Sequence, residues 1–297
     1  QPGTSQTACA WSAEDSAGGS AGCGGRQGCR HNAAMTALPR RRLALHLLAA
    51  AGLGALARPA AAQPVPTVAA ASDLNFALED VAVQFERETG QRLRLVFGSS
   101  GHFYSQILQG APFHLFMSAD EAFVLRLADT GKALGRGRLY ARGRIGILVP
   151  HGSPLAADGE LKDLAAALRD GRLRKFAIAN PEHAPYGQRA EEALRHAGLW
   201  PAIRPHLVLG ENISQAAQFA TSGSAQGGIV ALSLALAPDV AKLGQFALIP
   251  EAWHRPLLQR MVLLKGAPAP VREFHDHLST PAAQAVMARY GFATPRD

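Results

Sequence analysis

Thr67 to Ala71 form a short apolar run that predicts a buried strand, ended by Ser72. Leu74, Leu78, Val81 and Phe85 then recur at intervals of 4, 3 and 4, the stripe of a helix lying on a core. Gly90 stops that helix. Leu93, Leu95 and Phe97 alternate with Arg92, Arg94 and Val96 as a strand. Gly98-Ser99-Ser100-Gly101 follows and opens a second helix that runs to Leu108. Leu115 to Met117 is a further short strand, and Asp120 begins a helix through Ala128. Strand, turn and helix therefore alternate, which predicts a parallel sheet covered by helices.

The grammar then restarts. Strands are predicted at Ile145–Val149, Phe176–Ala179, Leu207–Leu209 and Gly228–Ala231, and a buried one at Leu257–Leu264. Helices are predicted at Leu161–Leu168, around Glu191–His196, at Ile213–Ala220 and at Ala282–Tyr290. Two rounds of βα units predict two α/β lobes, each a mainly parallel sheet flanked by helices.

The start of the chain has a different pattern. Residues 1–34 are rich in Gly, Ala and Ser without apolar period and are expected to precede the true translation start. Met35 leads into Arg40-Arg41-Arg42, an apolar run from Leu43 to Ala57 and the small residues Ala60-Ala61-Ala62. This layout of basic, apolar and small-residue segments reads as a secretory signal peptide over 35–62. The apolar run is short of the roughly 20 residues of a membrane span. The triple Arg fits the general export route and partly resembles a twin-arginine signal, so the route stays open.

That assignment changes the meaning of the composition. The 297 residues are 47% hydrophobic and 18% charged, a globular balance that excludes a disordered polymer and a polytopic membrane protein. The formal charge of +7 hints at a nucleic-acid or membrane partner. Removing residues 1–62 takes six of the 30 basic and two of the 23 acidic residues and leaves +3. The remaining basic residues are scattered, so no nucleic-acid partner is expected. Cys9, Cys23 and Cys29, all three cysteines, leave as well, which excludes a lipid anchor on the processed chain. A soluble periplasmic protein without disulfides must rely on its core, and roughly 235 residues suffice.

The candidate chemistry sits in four strand-to-helix turns. They are Ala71-Ser72-Asp73, Ser99-Ser100-Gly101, Ala184-Pro185-Tyr186-Gly187 and Glu211-Asn212-Ile213-Ser214. In α/β sheets, ligands bind beyond the carboxyl ends of strands. Helix N-termini there offer free N–H groups and partial positive charge to an anion. Each turn alone is more simply a helix cap, and only the joint pattern of two per lobe points to a site for a small anion. Asp73 is out of place beside an anion and is expected to cap its own helix and point away. The sequence has no phosphate loop G-x-x-x-x-G-K-[ST]. His275 and His277 sit two apart and would face apart on a helix, so no metal site is expected there.

Several segments together resemble a known family, the molybdate-binding periplasmic proteins of bacterial ABC importers (the ModA family). The segments are Val68–Leu74, Phe97–Gly101, Gly110–Asp120, Ala179–Gly187, Glu211–Ala216, Gly227–Ser233 and Arg289–Phe292, in the family's order. The resemblance implies a periplasmic binding protein fold of type II, with a ligand cleft between the lobes. It implies that Ser72 and Ser100, through hydroxyl and backbone, and the N–H groups of Tyr186 and Ile213 bind a tetrahedral oxyanion, molybdate or tungstate, with no cofactor. Asp73, Ser99 and Ala231 are secondary candidates. Ala231 stands where many relatives have a ligand-binding Tyr, and the Tyr186 hydroxyl is expected to compensate. Phe113-His114 replace the family's Ala-Asp in a loop expected at a lobe rim. Implied partners are an inner-membrane permease and its cytoplasmic ATPase, with the binding protein a monomer.

The expected organisation is lobe I at 63–142 plus 249–297 and lobe II at 143–248, with hinges near 141–144 and 245–250. The expected activity is capture and delivery, not catalysis. Three alternatives remain at this point. One is the same fold holding sulfate or phosphate. Another is an organic-acid binder that would use Arg189, the nearest Arg to the turns. The last is a secreted hydrolase using Ser72 or Ser100, which would need a base and an orienting acid in reach.

Overall fold

A computed structural model describes residues 65–293. The upstream extension and the signal peptide assigned to residues 1–62 lie outside that range. Among the described residues, no helix is long and apolar enough to cross a membrane.

The described residues begin with β1 (Thr67–Ala71), a 3-10 turn (Ser72–Leu74), α1 (Asn75–Thr89), β2 (Arg94–Gly98), α2 (Ser100–Leu108), β3 (Leu115–Ser118) and α3 (Glu121–Asp129). It continues through β4 (Arg138–Gly143), β5 (Ile145–Pro150), α4 (Lys162–Arg169), β6 (Phe176–Ala179) and α5 (Pro185–His196). Then come α6 (Trp200–Ile203), β7 (Leu207–Gly210), α7 (Ile213–Thr221), β8 (Gly228–Ala231), α8 (Leu232–Ala235) and α9 (Pro238–Ala241). The last elements are β9 (Gly244–Leu248), β10 (Leu257–Leu263), α10 (Ala269–His277) and α11 (Pro281–Arg289).

The strands form two five-stranded sheets, one per lobe, in the orders β2-β1-β3-β10-β4 and β7-β6-β8-β5-β9. Both sheets are mixed, each with one strand running against the other four. In the first, β1 runs parallel to β2 and β3, while β10 is antiparallel to β3 and β4. In the second, β6 is parallel to β7 and β8, while β5 is antiparallel to β8 and β9. The reversed strands are β10 and β5, and a single residue, Arg144, carries the chain from β4 of the first sheet to β5 of the second.

Alternation along β1 builds the core of the first lobe. Val68 and Ala70 join Leu74, Leu78, Val81 and Phe85 of the α1 stripe, together with Phe274 and Met287 of α10 and α11. Ala69 faces the other way and packs with Phe103, Ile107, Val124 and Leu127 of α2 and α3. The second lobe encloses Ile145, Ile147, Phe176, Ile178, Ala190, Ala216 and Ile229 in one cluster. Helices thus cover both faces of each sheet, and the strand ends Ala71, Gly98, Ala179 and Gly210 deliver the four turns to the junction of the lobes.

The loop with Phe113 and His114 is not at that junction. His114 Nδ1 accepts from the N–H of Thr67, at the start of β1, 3.1 Å away. The turn at Ser72 lies at the opposite end of the same strand.

Candidate functional site

All four turns line one small cavity between the lobes. Its walls are Ala71, Ser72, Asp73, Gly98, Ser99, Ser100, Ala119, Ala184, Pro185, Tyr186, Asn212 and Ile213. It is small, about 10 Å³. Ser72, Ser100, Tyr186 and Ile213 are therefore brought together, each from a different turn. Ala231, the end of β8, is buried in the second lobe's cluster and is not among the cavity walls.

The donors that remain for a ligand follow from hydrogen-bond accounting at the helix starts. In α7 the N-cap Asn212 accepts from Gln215 N through its side chain, and from Ala216 N through its carbonyl. Ser214 N donates to Ser72 Oγ at 3.3 Å. The Ile213 N–H is the first-turn donor that these bonds leave over. In α2 the Gly101 N–H goes to the His183 carbonyl and the Phe103 N–H to Ser99 O. The Ser100 N–H, in the first turn, is left over in the same way. Its hydroxyl oxygen accepts from Ala119 N at 3.0 Å and keeps its proton to give. In α5, Pro185 has no N–H and occupies the first helical position, so Tyr186 presents the first donor of that helix.

Around the cavity the lobes touch through polar bonds. At one edge, Ser214 Oγ donates to Ser72 O at 2.8 Å and Ser233 Oγ donates to Asp73 O at 2.7 Å. At the floor, Asp73 Oδ2 accepts from Tyr186 Oη at 2.9 Å and from Gln259 Nε2 at 2.6 Å. Tyr140 Oη in turn donates to Gln259 Oε1 at 2.7 Å. Two sequence expectations fail here. Asp73 does not cap its own helix; it ties the lobes together. The Tyr186 hydroxyl is not a spare ligand donor, because Asp73 takes its proton. Burial raises the Asp73 pKa to about 6, against the lowering effect of its Gln259 and Tyr186 donors. Below that pH the cavity loses a negative charge.

At the rim, Ser99 Oγ donates to the His183 carbonyl at 2.6 Å and lies 3.0 Å from His183 Nδ1. The His183 and His102 rings stack at 3.8 Å between centroids. Glu211 Oε2 lies 3.7 Å from His183 Nε2 and 3.8 Å from His102 Nδ1. Burial, then His102, push the His183 pKa down, while Glu211 and Glu182 pull it up. Gly101 is required by this contact, since a Cβ there would sit 2.5 Å from the His183 oxygen.

Arg189, the residue an organic-acid binder would use, is buried elsewhere. It lies 3.0 Å from Glu192 and 3.5 Å from Asp120 and is absent from the cavity wall. Ser214, a member of the fourth turn, bonds across the lobes, while sequence reasoning missed Ser233 and Gln259. Nothing in the local pattern of β10 marks Gln259.

The family described as bacterial extracellular solute-binding protein matches residues 66–293. The molybdate-binding protein ModA of Rhodobacter capsulatus is 36% identical over 242 residues, 80% of this chain and 92% of that protein. The ModA of Azotobacter vinelandii is also 36% identical, over 83% of this chain and 96% of that protein. The solved structure of the Azotobacter vinelandii periplasmic molybdate-binding protein superposes with a TM-score of 0.70 at 29% identity, covering 78% of this chain and all of that one. The Mycobacterium tuberculosis sulfate-binding protein SubI shares the fold at 17% identity, with a TM-score of 0.64. With its two mixed sheets, its cleft of helix N-termini and this breadth of likeness, the chain belongs to the bacterial extracellular solute-binding proteins, in the molybdate-binding ModA group.

Proposed function

We propose that the protein captures molybdate, and tungstate with it, in the periplasm and hands it to an ABC permease driven by a cytoplasmic ATPase. The observation that carries this reading is the convergence of Ser72, Ser100, Tyr186 and Ile213 on one small cavity between two lobes. The likeness to ModA proteins along most of their length supports it. In this reading the Ser72 and Ser100 hydroxyls and the N–H groups of Ser100, Tyr186 and Ile213 bind the oxyanion. No cofactor takes part and the protein acts as a monomer.

Lobe I is 63–142 plus 249–297 and lobe II is 143–248, hinged where Arg144 joins β4 to β5 and where the chain returns from β9 to β10. Closure brings donors from both lobes onto the ion and excludes water, which strengthens each bond. Donors without formal charge allow release on opening. A cage of fixed size loses contacts with the smaller sulfate. Protonated phosphate brings a donor that finds few acceptors in such a cage. Hydrolysis through a serine is disfavoured by the geometry at His183. The serine beside that imidazole is Ser99, and it spends its proton on a backbone carbonyl.

The test is thermal unfolding with molybdate, tungstate, sulfate and phosphate, each at about 1 mM. A ligand present at 1,000 times its Kd adds about 4 kcal/mol. Midpoint shifts with molybdate and tungstate alone are expected, and Ser100→Ala should weaken binding about tenfold through loss of a buried bond. No shift with any oxyanion would sink the ligand class.

A further inference from the structure

We propose that His102, His183 and Glu211 form a binding site for a zinc-class divalent cation at the rim of the cleft, stapling the closed lobes together. The three residues offer ligand atoms within 4.8 Å of one another. Tetrahedral ligands at the usual zinc distances stand about 3.3 Å apart. The Glu211 oxygen is 3.7 Å from one imidazole nitrogen and 3.8 Å from the other. The ligand atoms, now within 4.8 Å of one another, must close further, and the stacked rings must turn out of their 22° arrangement, to make a three-ligand set. Two imidazoles and one carboxylate favour zinc, cobalt or nickel over calcium or magnesium, which prefer all-oxygen cages.

A second observation points the same way. The Ser99 hydroxyl has one proton, and it goes to the His183 carbonyl at 2.6 Å. Its contact with His183 Nδ1 at 3.0 Å must then be a bond donated by Nδ1–H. In the neutral imidazole this leaves the lone pair on Nε2, the atom that faces the Glu211 carboxylate. Two acceptors face each other there, an arrangement that a cation resolves. Ser99 thus plays the orienting role that outer hydrogen bonds play for metal-binding imidazoles. Half of the His102 side chain and two thirds of Glu211 are open to solvent, so a cation can enter and keep a water as fourth ligand.

The placement gives the site a consequence. His102 starts in α2 of the first lobe, while His183 and Glu211 precede α5 and α7 of the second. The full ligand set therefore exists only with the lobes closed. If closure also traps the oxyanion, which rests on the function proposed above, the two ligands bind the same state. Each must then raise the affinity of the other by the same factor.

The experiment uses the full chain with Cys9, Cys23 and Cys29 alkylated, since free thiols would also bind zinc. Zinc chloride and cobalt chloride are titrated without oxyanion, followed by unfolding midpoint and by cobalt absorption. The wild type should show a rise of a few degrees and the intense bands of tetrahedral cobalt. His102→Ala and Glu211→Gln, both at exposed positions, should weaken cation binding at least about tenfold and abolish those bands. Molybdate binding without cation should be unchanged in both variants, so failure of the metal site and failure of the oxyanion reading are told apart. With both ligands present, zinc should lower the molybdate Kd in the wild type and not in His102→Ala. Cation binding that is equal in the wild type and both variants, or absent in the wild type at millimolar zinc, would overturn the proposal.

Discussion

The floor and the rim of the cleft join the same two lobes by opposite means. The floor, Asp73 with Tyr186, Gln259 and Tyr140, is buried and its groups are locked to one another. The rim sets Ser99 and Gly101 against His183, and beyond them His102 and Glu211 are exposed. Bonds shielded from water are strong, and costly when one partner is lost. Bonds in water exchange with it at little net cost. The floor should therefore set how stable the closed form is, and the fit of Ser99 and Gly101 against His183 should set whether it can be reached.

The largest effect should come from blocking the rim by shape. Gly101→Val puts side-chain carbon into the His183 carbonyl. Overpacking of 1–3 kcal/mol should fall on the closed form alone. A loss of oxyanion affinity of about 10- to 100-fold is expected in titration calorimetry, with the unliganded unfolding midpoint nearly unchanged. A large drop in that midpoint would show that the contact supports the fold itself.

Next comes the floor. Asp73→Ala strands the Tyr186 hydroxyl and the Gln259 amide and should cost about 1–3 kcal/mol in urea unfolding. Asp73→Asn keeps an acceptor and sheds the buried charge, so it should match or exceed the wild type at pH 7.5. Equal losses in the two variants would mean that shape, not charge, governs the floor.

A smaller effect is the dependence on pH. The Asp73 pKa of about 6 in the fold exceeds its ordinary 3.8, so the folded state holds the proton more tightly between those values. Stability from this group is greatest below pH 4 and declines as pH rises toward 6, by on the order of 2–3 kcal/mol. Asp73→Asn should gain on the wild type over that window. Oxyanion affinity should fall with rising pH through 6 in the wild type and stay flat in the variant. Parallel curves would remove Asp73 as the titrating group.

How much of this was legible in the sequence divides along similar lines. The helices with a clear apolar stripe and the strands bounded by small residues were readable, because β1, α2, β6 and β8 are specified by local period and punctuation. The four turns were readable for the same reason. β4 and β9 were not, since Arg138–Gly143 and Gly244–Leu248 mix charge, Gly and apolar residues without a regular alternation. Their identity as strands comes from antiparallel neighbours far away in sequence. The role of Asp73 was misread because its partners are 113 and 186 residues downstream. No local rule links a carboxylate at one turn to a glutamine on the last strand.

Among the described residues, the chain passes between the lobes twice, at Arg144 and over the stretch from Ile249 to Pro256. Glu251, on the second passage, grips Arg142 and Arg144 on either side of the first, at 3.1 and 2.8 Å. The two passages therefore behave as one axle with a charged collar, not as two independent strings. A bearing of this kind permits swing and resists sliding. A cargo carried between its jaws would meet the membrane machinery in a repeatable orientation, and a recognition surface made of both lobes could read from it whether the jaws are shut.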